Sequence, residues 1–538
     1  MNLESHNTKL RVRSFLYWGI VVALATGLAV DIFFIKKPVN FRLIVGENSK
    51  VDEVLQLIET YYFDEVSAQE LKDEAIRGIL QNLDPHSSYM TKEEAEQANS
   101  IMTGGFEGIG VQFNMLNDTL LVVAVTAGGP SEKVGVMAGD RIITVDGESI
   151  AGVNISNTDI LKKLRGKKNT HVRIEIRRQG QEKLIPFDIV RDKIAVYSVN
   201  IAYKIAPQTG YIHIDNFTST TEKEFQEALK LLIDKGISKL ILDLRGNSGG
   251  YLHAAIAVCN ELLPKNKLIV YTYGKSVGKQ KFFSTAKGLF KKENQQLVVL
   301  IDEYSASASE IVAGAVQDLD RGTVIGRRSF GKGLVQGQFY LRDSSEVLIT
   351  TARYYTPSGR CIQRPFEITK NNDYFTDIID RYQHGEMENQ DSIQFIDSLK
   401  YTTESGRTVY GGGGIMPDIF VPIRTSDSLW YSNSLINNGI VLNYAMEYAD
   451  KNRKELNTSY KNAEDYVKRF EITKAMIQEM IQRGEKAGIT PQLSPLSYKE
   501  LSKWTKAFIG RNLFGEKAFY SVINQEDEVV KRAVEILK

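Results

Sequence analysis

The sequence is poor in the residues that build cysteine- and histidine-based sites. Its 538 residues include two cysteines, Cys259 and Cys361, and six histidines. Two cysteines exclude a disulfide-rich scaffold and a cysteine-rich metal centre. The His, Cys and Glu residues also do not follow the spacing of metal ligands. We therefore expect no metal and no other cofactor.

The chain also lacks an excess of charge of either sign. It has 67 basic and 66 acidic residues, a formal net charge of +1. Without a global basic field, nothing in the charge balance favours nucleic acid as a partner. The chain has no repeat of fixed period, and its length predicts two to four domains, because one hydrophobic core does not extend over so many residues.

One long hydrophobic run is present, close to the N-terminus. Phe15 to Ile35 is a mostly apolar stretch of 21 residues, long enough as a helix to cross a hydrocarbon core of about 30 Å. We predict an uncleaved transmembrane signal-anchor at residues 14–36. The alternative is a cleaved signal peptide, but the run is not followed by a cleavage site with small residues at the usual positions.

The charges beside this run predict its orientation. Lys9, Arg11 and Arg13 precede it and favour a cytoplasmic N-terminus at residues 1–13, although Lys36 and Lys37 after the run weaken the asymmetry. We expect a single-pass protein of the inner (cytoplasmic) membrane, with its catalytic part periplasmic or otherwise extracytoplasmic.

The texture of the sequence changes four times after the hydrophobic run. Short continuous apolar runs, such as Leu240–Leu244 and Leu297–Ile301, are typical of buried parallel strands, and helical patterns follow them. The predicted class is multidomain α+β. Its regions are a helical segment at 48–100, a β-rich region at 101–191, an α/β region at 192–425 and a helical region at 426–538. The α/β region includes a polar insert at about 366–408, which we expect to be an inserted loop or an extended arm.

A serine-rich segment, Ser305-Ala306-Ser307-Ala308-Ser309-Glu310-Ile311, lies between a predicted strand and a predicted helix. A serine at such a turn faces outward, and the first amides of the helix favour negative charge beside it. Acyl transfer needs both features, because its tetrahedral intermediate carries an oxyanion. The alternative is structural, since Ser307 and Glu310 also match a helix capping box.

A serine nucleophile needs a base, and Lys332 is the better candidate. It lies between two glycines in Phe330-Gly331-Lys332-Gly333, where burial can hold the amine neutral. Gln336 is placed to orient the amine without adding charge. A pairing with His253 or His213 stays open. A phosphate-binding loop is disfavoured, because no Ser or Thr follows the lysine.

Together these motifs resemble the carboxy-terminal processing peptidases, also called tail-specific proteases. The resemblance rests on the serine segment, on the lysine segment with Gln336, and on Asp243-Leu244-Arg245-Gly246-Asn247-Ser248-Gly249-Gly250. Ser307 and Lys332 are 25 positions apart (332 − 307 = 25), as in that family. The spacing selects the middle serine of the three, and the resemblance extends from Val51 to Pro422.

The resemblance implies a Ser–Lys dyad of Ser307 and Lys332, helped by Gln336. It implies an oxyanion hole formed by the Ala308 amide and the Gly249-Gly250 loop. It identifies 192–425 as the protease core and 101–191 as a PDZ domain. The expected loop for the substrate carboxylate is made of Gly108, Ile109, Gly110 and Val111.

The expected function is therefore that of a serine endopeptidase that recognises protein C-termini through its PDZ domain and cleaves through an acyl-enzyme. The expected partners are protein and peptide substrates with free C-termini and the membrane; a homo-oligomer or an adaptor protein stays open, and no nucleic acid is expected. The alternative function is a membrane-anchored PDZ binding scaffold with an inactive protease-like domain.

Overall fold

A computed structural model describes residues 50–115, 118–126, 128–178, 180–366, 371–424 and 426–538. These residues fall into two compact units, divided after Glu74. The predicted cytoplasmic segment at 1–13 and the predicted anchor at 14–36 lie outside the described residues. Within the described ranges, no helix has the length and apolar character needed to span a bilayer.

The segment before the β-rich region is helical but more interrupted than the sequence predicts. The helical structure is interrupted at the predicted turn around Pro85 and also between residues 62 and 67. The last helix begins with a capping box, in which Thr91 and Glu94 satisfy each other's backbone amides. The elements are α1 (Lys50–Tyr61), α2 (Ala68–Gln81), β1 (Ser88–Met90) and α3 (Lys92–Met102).

The β-rich region is a five-strand path, β3-β4-β5-β7-β8, with β6 paired to β5. Alternating burial, as along β7, directs one face of the sheet to an aliphatic core that includes Ile142, Ile174 and Ile189. Strand β3 is at the edge of this sheet. The elements are β2 (Gly105–Gly108), β3 (Val111–Met115), β4 (Leu120–Val125), α4 (Pro130–Val134), β5 (Arg141–Val145), β6 (Glu148–Ser149), α5 (Asn157–Leu164), β7 (His171–Arg177), β8 (Ile185–Val190) and β9 (Asp192–Ala195).

The α/β region contains a six-stranded sheet in the order β10-β11-β12-β15-β16-β21, parallel except for the pairing of β10 with β11. Its central strands are buried on both faces, which explains their continuous apolar runs. The elements are β10 (Val199–Ala206), β11 (Thr209–Ile214), α6 (Thr221–Asp234), β12 (Lys239–Asp243), α7 (Leu252–Leu262), β15 (Gln296–Ile301), α8 (Ala308–Asp318), β16 (Thr323–Gly326) and β21 (Ile419–Phe420).

A second, antiparallel sheet lies in the same region. It has the order β1-β18-β13-β14, and β17 pairs with β18. The polar insert is not an extended arm: it contains a helix, short 3-10 turns and a hairpin. The elements are β13 (Leu268–Gly274), β14 (Gly278–Phe283), β17 (Leu334–Tyr340), β18 (Glu346–Tyr355), α9 (Asn371–Gln383), β19 (Lys400–Thr402) and β20 (Thr408–Tyr410).

The C-terminal region is helical from Trp430, as the sequence predicts. Most of its helices share their own hydrophobic core. The last helix instead packs Val530 and Ala533 against strand residues of the six-stranded sheet, including Ile241 and Leu300. The elements are α10 (Trp430–Asn437), α11 (Ile440–Lys451), α12 (Arg453–Ser459), α13 (Ala463–Arg469), α14 (Lys474–Lys486), α15 (Pro495–Phe514), α16 (Glu516–Glu526) and α17 (Glu528–Ile536).

Candidate active site

Ser307 lies at the turn between β15 and α8, at the carboxyl edge of the parallel sheet. Its backbone has φ +52° and ψ −109°, a region that residues other than glycine rarely occupy. Such strain persists only where surrounding contacts enforce it, and it is concentrated at functional sites. Ser307 is therefore the residue of the serine segment with an unusual backbone.

The two flanking serines have structural roles. The Ser305 hydroxyl donates to the Leu244 carbonyl at 2.8 Å, and the Ser309 hydroxyl donates to the Asn247 carbonyl at 2.9 Å. Both side chains are fully buried. Ser307 is only partly buried, so among the three serines it is the one open to a substrate.

Glu310 joins the serine turn to the lysine loop. Its buried carboxylate accepts hydrogen bonds from the amides of Ser307 (2.7 Å) and Lys332 (2.9 Å) through the same oxygen, Oε2. The other oxygen, Oε1, accepts from the Gly331 amide (2.7 Å) and the Ser329 hydroxyl (2.5 Å). The capping partner expected for Ser307 thus also fixes the backbone of Lys332.

Tyr354 on β18 makes a second bridge between the two segments. Its hydroxyl lies 2.5 Å from the Lys332 carbonyl and 3.2 Å from the Ser307 carbonyl. The ring is fully buried, and this burial raises the pKa of Tyr354 well above its ordinary value. Tyr354 therefore stays a neutral donor, and the two backbones are held together on two sides.

The environment of Lys332 shifts its equilibrium towards the neutral amine. Burial lowers the pKa of Lys332, while the negative charges of Glu310 and Asp84 oppose that effect. Burial raises the pKa of Glu310 to about 7, against the hydrogen bonds from Ser329, Lys332, Gly331 and Ser307. Both shifts disfavour charge in a poorly solvated site.

Gln336 lies on β17, four positions after Lys332. Within the described part of the chain its hydrogen bond runs to Thr350 Oγ1 (Nε2 to Oγ1, 3.3 Å) rather than to Lys332. Thr350 Oγ1 in turn donates to Asp84 (3.0 Å). Gln336 is therefore part of a polar chain that ends on the turn before β1.

That turn also brings Asp84 and His86 to the site, a placement not predicted from the sequence. The Asp84 carboxylate is buried and accepts from the amides of His86 and Ser87 and from the Ser87 hydroxyl. Burial, together with the charge of Lys332, lowers the pKa of His86 to about 4. The signal in the sequence was the Asp-Pro-His-Ser string, which reads locally as an ordinary proline turn.

The glycine loop lies directly against Ser307. A Cβ placed on Gly249 would be 2.8 Å from Ser307 Cβ, and its φ of +109° also requires glycine. The Gly249 amide, however, donates to Asn247 Oδ1 at 2.9 Å. Ala308 is the first residue of α8, where a helix leaves amides without intrahelical partners.

The two histidines weighed as alternative bases are engaged elsewhere. His213 on β11 contacts Asn200 (3.1 Å) and Asp215 (3.3 Å). His253 is exposed and stacks on Tyr251, with 5.0 Å between ring centroids. None of these contacts of the two histidines is with Ser307.

The predicted carboxylate loop of the β-rich region lies at the start of the edge strand. Gly108 ends β2, Val111 begins β3, and buried Ile109 packs into the core. Gly110 has φ +75°, and a Cβ there would be 3.0 Å from Ile194 Cδ1. The loop is therefore fixed by packing, and the free edge of β3 is beside it.

In the part of the chain that the structure describes, no three His, Cys, Asp or Glu residues group as metal ligands do. The buried carboxylate of Glu310, beside Ser307, instead accepts hydrogen bonds from three backbone amides.

Comparison with known proteins identifies the family. Peptidase family S41 matches residues 208–372, a PDZ domain matches 108–189, and the N-terminal domain of the activating protease CtpB matches 36–94. A family of unknown function matches residues 431–515.

The matches to two bacterial relatives cover most of the length of each relative. Carboxy-terminal processing protease CtpB of Bacillus subtilis is 34% identical over 334 residues, which are 61% of this chain and 68% of the relative. The carboxy-terminal-processing protease of Bartonella bacilliformis is 38% identical over 319 residues, 59% of this chain and 72% of the relative. The chain belongs to the carboxy-terminal processing protease family.

A solved structure with a similar chain is the photosystem II D1 C-terminal processing protease. It has 25% sequence identity and a TM-score of 0.34, and the match covers 69% of this chain and 86% of that chain. By its family membership and its two domain matches, the chain is a serine-type peptidase with a PDZ domain, whose partners include peptide substrates. This membership disfavours the alternative of an inactive binding scaffold.

Proposed function

We propose that this protease cleaves by a Ser–Lys dyad, with Ser307 as the nucleophile and Lys332 as the general base. The observation that carries the proposal is the hydrogen bonding of Glu310: its Oε2 accepts hydrogen bonds from the backbone amides of both Ser307 and Lys332. A bridge of this kind fixes the relative position of two reacting residues, which is a large part of the rate enhancement of an enzyme.

In the proposed reaction, neutral Lys332 accepts the Ser307 proton while Ser307 Oγ attacks the scissile carbonyl. The Ala308 amide and the Gly249-Gly250 loop stabilise the oxyanion. Because the Gly249 amide is bonded to Asn247, we assign the loop's donor to Gly250. Lys332 then returns the proton to the leaving amine as the C–N bond breaks, and water hydrolyses the acyl-enzyme by the same transfers.

For Gln336 we propose an indirect role. Its hydrogen bond to Thr350, and that of Thr350 to Asp84, tie β17 to the turn before β1. Lys332 lies four positions before Gln336 on the same segment, so this tie limits how far the lysine loop can move. A direct contact between Gln336 and the lysine amine stays a prediction for the substrate-bound state.

We also propose that the PDZ domain selects substrates with a free C-terminus. The Gly108–Val111 loop offers backbone amides, and the edge strand β3 offers a place for the peptide to add as a strand. The positive φ at position 110 favours glycine there. The substrate's terminal carboxylate would bind at the loop, and its preceding residues would pair along β3.

The membrane anchor at 14–36 and an extracytoplasmic location for the catalytic part remain proposals from the apolar run and its basic flank. External protease added to spheroplasts should degrade the region after residue 50. Protection of that region would contradict the location. Oligomers and adaptors remain open partners.

The direct test of function uses one unfolded substrate in free-acid and C-terminally amidated forms. Wild type should cleave the free acid faster, and Ser307→Ala and Lys332→Ala should both abolish cleavage. The matched controls Ser305→Ala and Ser309→Ala should keep measurable turnover, because these hydroxyls bond to backbone carbonyls.

Each part of the proposal has its own contradicting outcome. Turnover by Lys332→Ala equal to wild type would exclude the dyad. Equal rates on both forms of the substrate would exclude recognition of the C-terminus but leave the dyad standing. His253→Ala is a further control and should match wild type.

A further inference from the structure

The insert places one tyrosine against the lysine loop. Tyr374 on α9 is 5% exposed. Its hydroxyl lies 2.9 Å from His86 Nε2 and accepts from Gln363 Nε2 at 3.2 Å. A polar insert without any recognised motif thus contributes a buried aromatic side chain to the surroundings of the candidate active site.

Two partners of Tyr374, Gln363 and Arg364, hold the lysine loop directly. Gln363 Oε1 accepts from the Gly333 amide (2.8 Å), and the Arg364 amide donates to the Gly331 carbonyl (3.0 Å). The Arg364 guanidinium carbon lies 3.8 Å from the Tyr374 ring centroid and 4.0 Å from that of Phe330. Both glycines that flank Lys332 are therefore bonded to residues that contact Tyr374.

Several charged or titratable groups surround Lys332. They are Glu310 on α8, Asp84 and His86 on the turn before β1, and Arg364 on the segment before the insert. Tyr374 contacts two of them, His86 and Arg364. On the side of Lys332 where they lie, neutral His86 and the Tyr374 ring fill space without adding negative charge. A negative charge there would hold the lysine protonated.

We propose that Tyr374, supplied by the insert, is a positioning residue for Lys332. Its ring packs on the arginine that holds one flanking glycine, and its hydroxyl bonds to the glutamine that holds the other. The insert thereby keeps water from the lysine amine and keeps the loop in its reactive geometry. The inference rests on the proposed role of Lys332 as the base.

The test is the pH dependence of kcat/KM for the full chain on the free-acid substrate. Tyr374→Ala removes the ring and admits water, so the ascending limb should move to higher pH by about one unit, because a better solvated lysine holds its proton more tightly. At a fixed pH on this limb, Tyr374→Ala should lower kcat and leave KM unchanged, because Tyr374 acts on the base. Tyr382→Ala, an exposed tyrosine of the same helix, is the matched control and should keep the wild-type profile.

A second variant keeps the inference testable if Tyr374→Ala does not fold. Tyr374→Phe keeps the ring over Arg364 and loses both hydroxyl contacts. It should keep the position of the limb and lose at least about threefold in kcat, because each of the two lost hydrogen bonds is worth a factor of about threefold to tenfold. Unchanged kcat and an unchanged limb in the folded Tyr374 variants would overturn the inference, even if Tm falls.

Lys332→Ala in the same assay separates the two proposals. An inactive Lys332→Ala with an unshifted Tyr374→Ala profile would contradict only the role of Tyr374. An active Lys332→Ala with a wild-type profile would contradict the base assignment and, with it, the inference.

Discussion

At the scale of single residues, the candidate site is organised around a carboxylate that takes no direct part in the proposed chemistry. Glu310 is fully buried and bonds the amides of Ser307, Gly331 and Lys332. Its place three positions after Ser307 is readable from the sequence as a capping box. Its bonds to the lysine loop are not, because they join segments that only the tertiary fold brings together.

Glu310→Gln should reduce kcat by about a hundredfold, because small displacements of reacting groups cost that much. The amide nitrogen of Gln cannot accept the backbone N–H groups on one side, so stability should fall by about 1–3 kcal/mol. Ser329→Ala is the matched control, since it removes one donor to Glu310 and keeps the carboxylate. Steady-state kinetics and thermal unfolding check both effects, and an equal loss in the two variants would contradict the bridging role.

Lys332→Met should abolish activity and raise Tm at neutral pH. Burial lowers the folded-state pKa of Lys332 below its unfolded value of 10.5, so the unfolded state binds more protons between those two values. Wild-type stability therefore rises with pH through that window. The Tm advantage of Lys332→Met should shrink as the pH approaches 10.5. A Tm difference that does not change with pH would contradict a depressed pKa.

Two residues show that the sequence does not predict individual hydrogen-bond partners. Gln336 was expected to orient the lysine, and its hydrogen bond runs to Thr350. The Gly249 amide was expected in the oxyanion hole, and it donates to Asn247. Motif spacing locates both residues near the site but does not state which neighbour takes each hydrogen bond, since that depends on side chains from other segments.

At the scale of elements, the last helix reaches the strand that precedes the glycine loop. Asp527 caps α17 through the amides of Val529 and Val530. Its other oxygen lies 2.8 Å from Arg245 Nη1, and Arg245 also pairs with buried Asp243 at 2.6 Å. Arg245 directly precedes the Gly246–Gly250 loop, so the helix contributes to holding that loop.

Asp527→Asn and Asp527→Ala separate the cap from the ion pair. Asn still caps a helix, whereas Ala costs about 1 kcal/mol, so Tm should fall more in Asp527→Ala. Both variants lose one of the two carboxylates that pair with Arg245 and should lose kcat/KM by a similar factor. Glu526→Ala is the control, because Glu526 pairs with Lys499 and Lys531 instead. Wild-type kcat/KM in Asp527→Ala would show that the ion pair does not influence the loop.

Element types were more predictable than the positions of the elements. The apolar runs at β12 and β15 predict buried parallel strands, and both lie in the six-stranded sheet. The polar insert was expected to be an inserted loop or an extended arm, yet it contains α9. Tyr374 of this helix is buried by contacts with His86 and Arg364, which lie outside the insert, and a pattern within the insert does not reveal those contacts.

At the scale of the whole molecule, the C-terminal region contacts both the PDZ domain and the protease core. Arg453 Nη2 lies 3.4 Å from the Ala138 carbonyl, and a Cβ on Gly139 would be 2.8 Å from Asp450 Cγ. At its other end, α17 packs on the six-stranded sheet. The order of these domains is readable from the sequence, but their contacts are not, because no motif marks either surface.

Val530→Asp should destabilise the core through this docking. Val530 is 1% exposed and packs among strand residues, and an unpaired buried carboxylate costs several kcal/mol. We expect a lower Tm and increased binding of an apolar fluorescent dye as the sheet becomes exposed. Arg532→Ala, an exposed position on the same helix, should leave both unchanged. Equal Tm values for the two variants would contradict docking of α17 on the sheet.

The central claim is that Ser307 is activated by Lys332. Its most direct test is the rate at which a fluorophosphonate labels the full chain across pH, with the modified residue identified by mass spectrometry. The account predicts one label, on Ser307, with a rate that rises with pH as Lys332 loses its proton and that collapses in Lys332→Ala. Labelling of Ser305 or Ser309, or labelling of Ser307 at the same rate without Lys332, would contradict it.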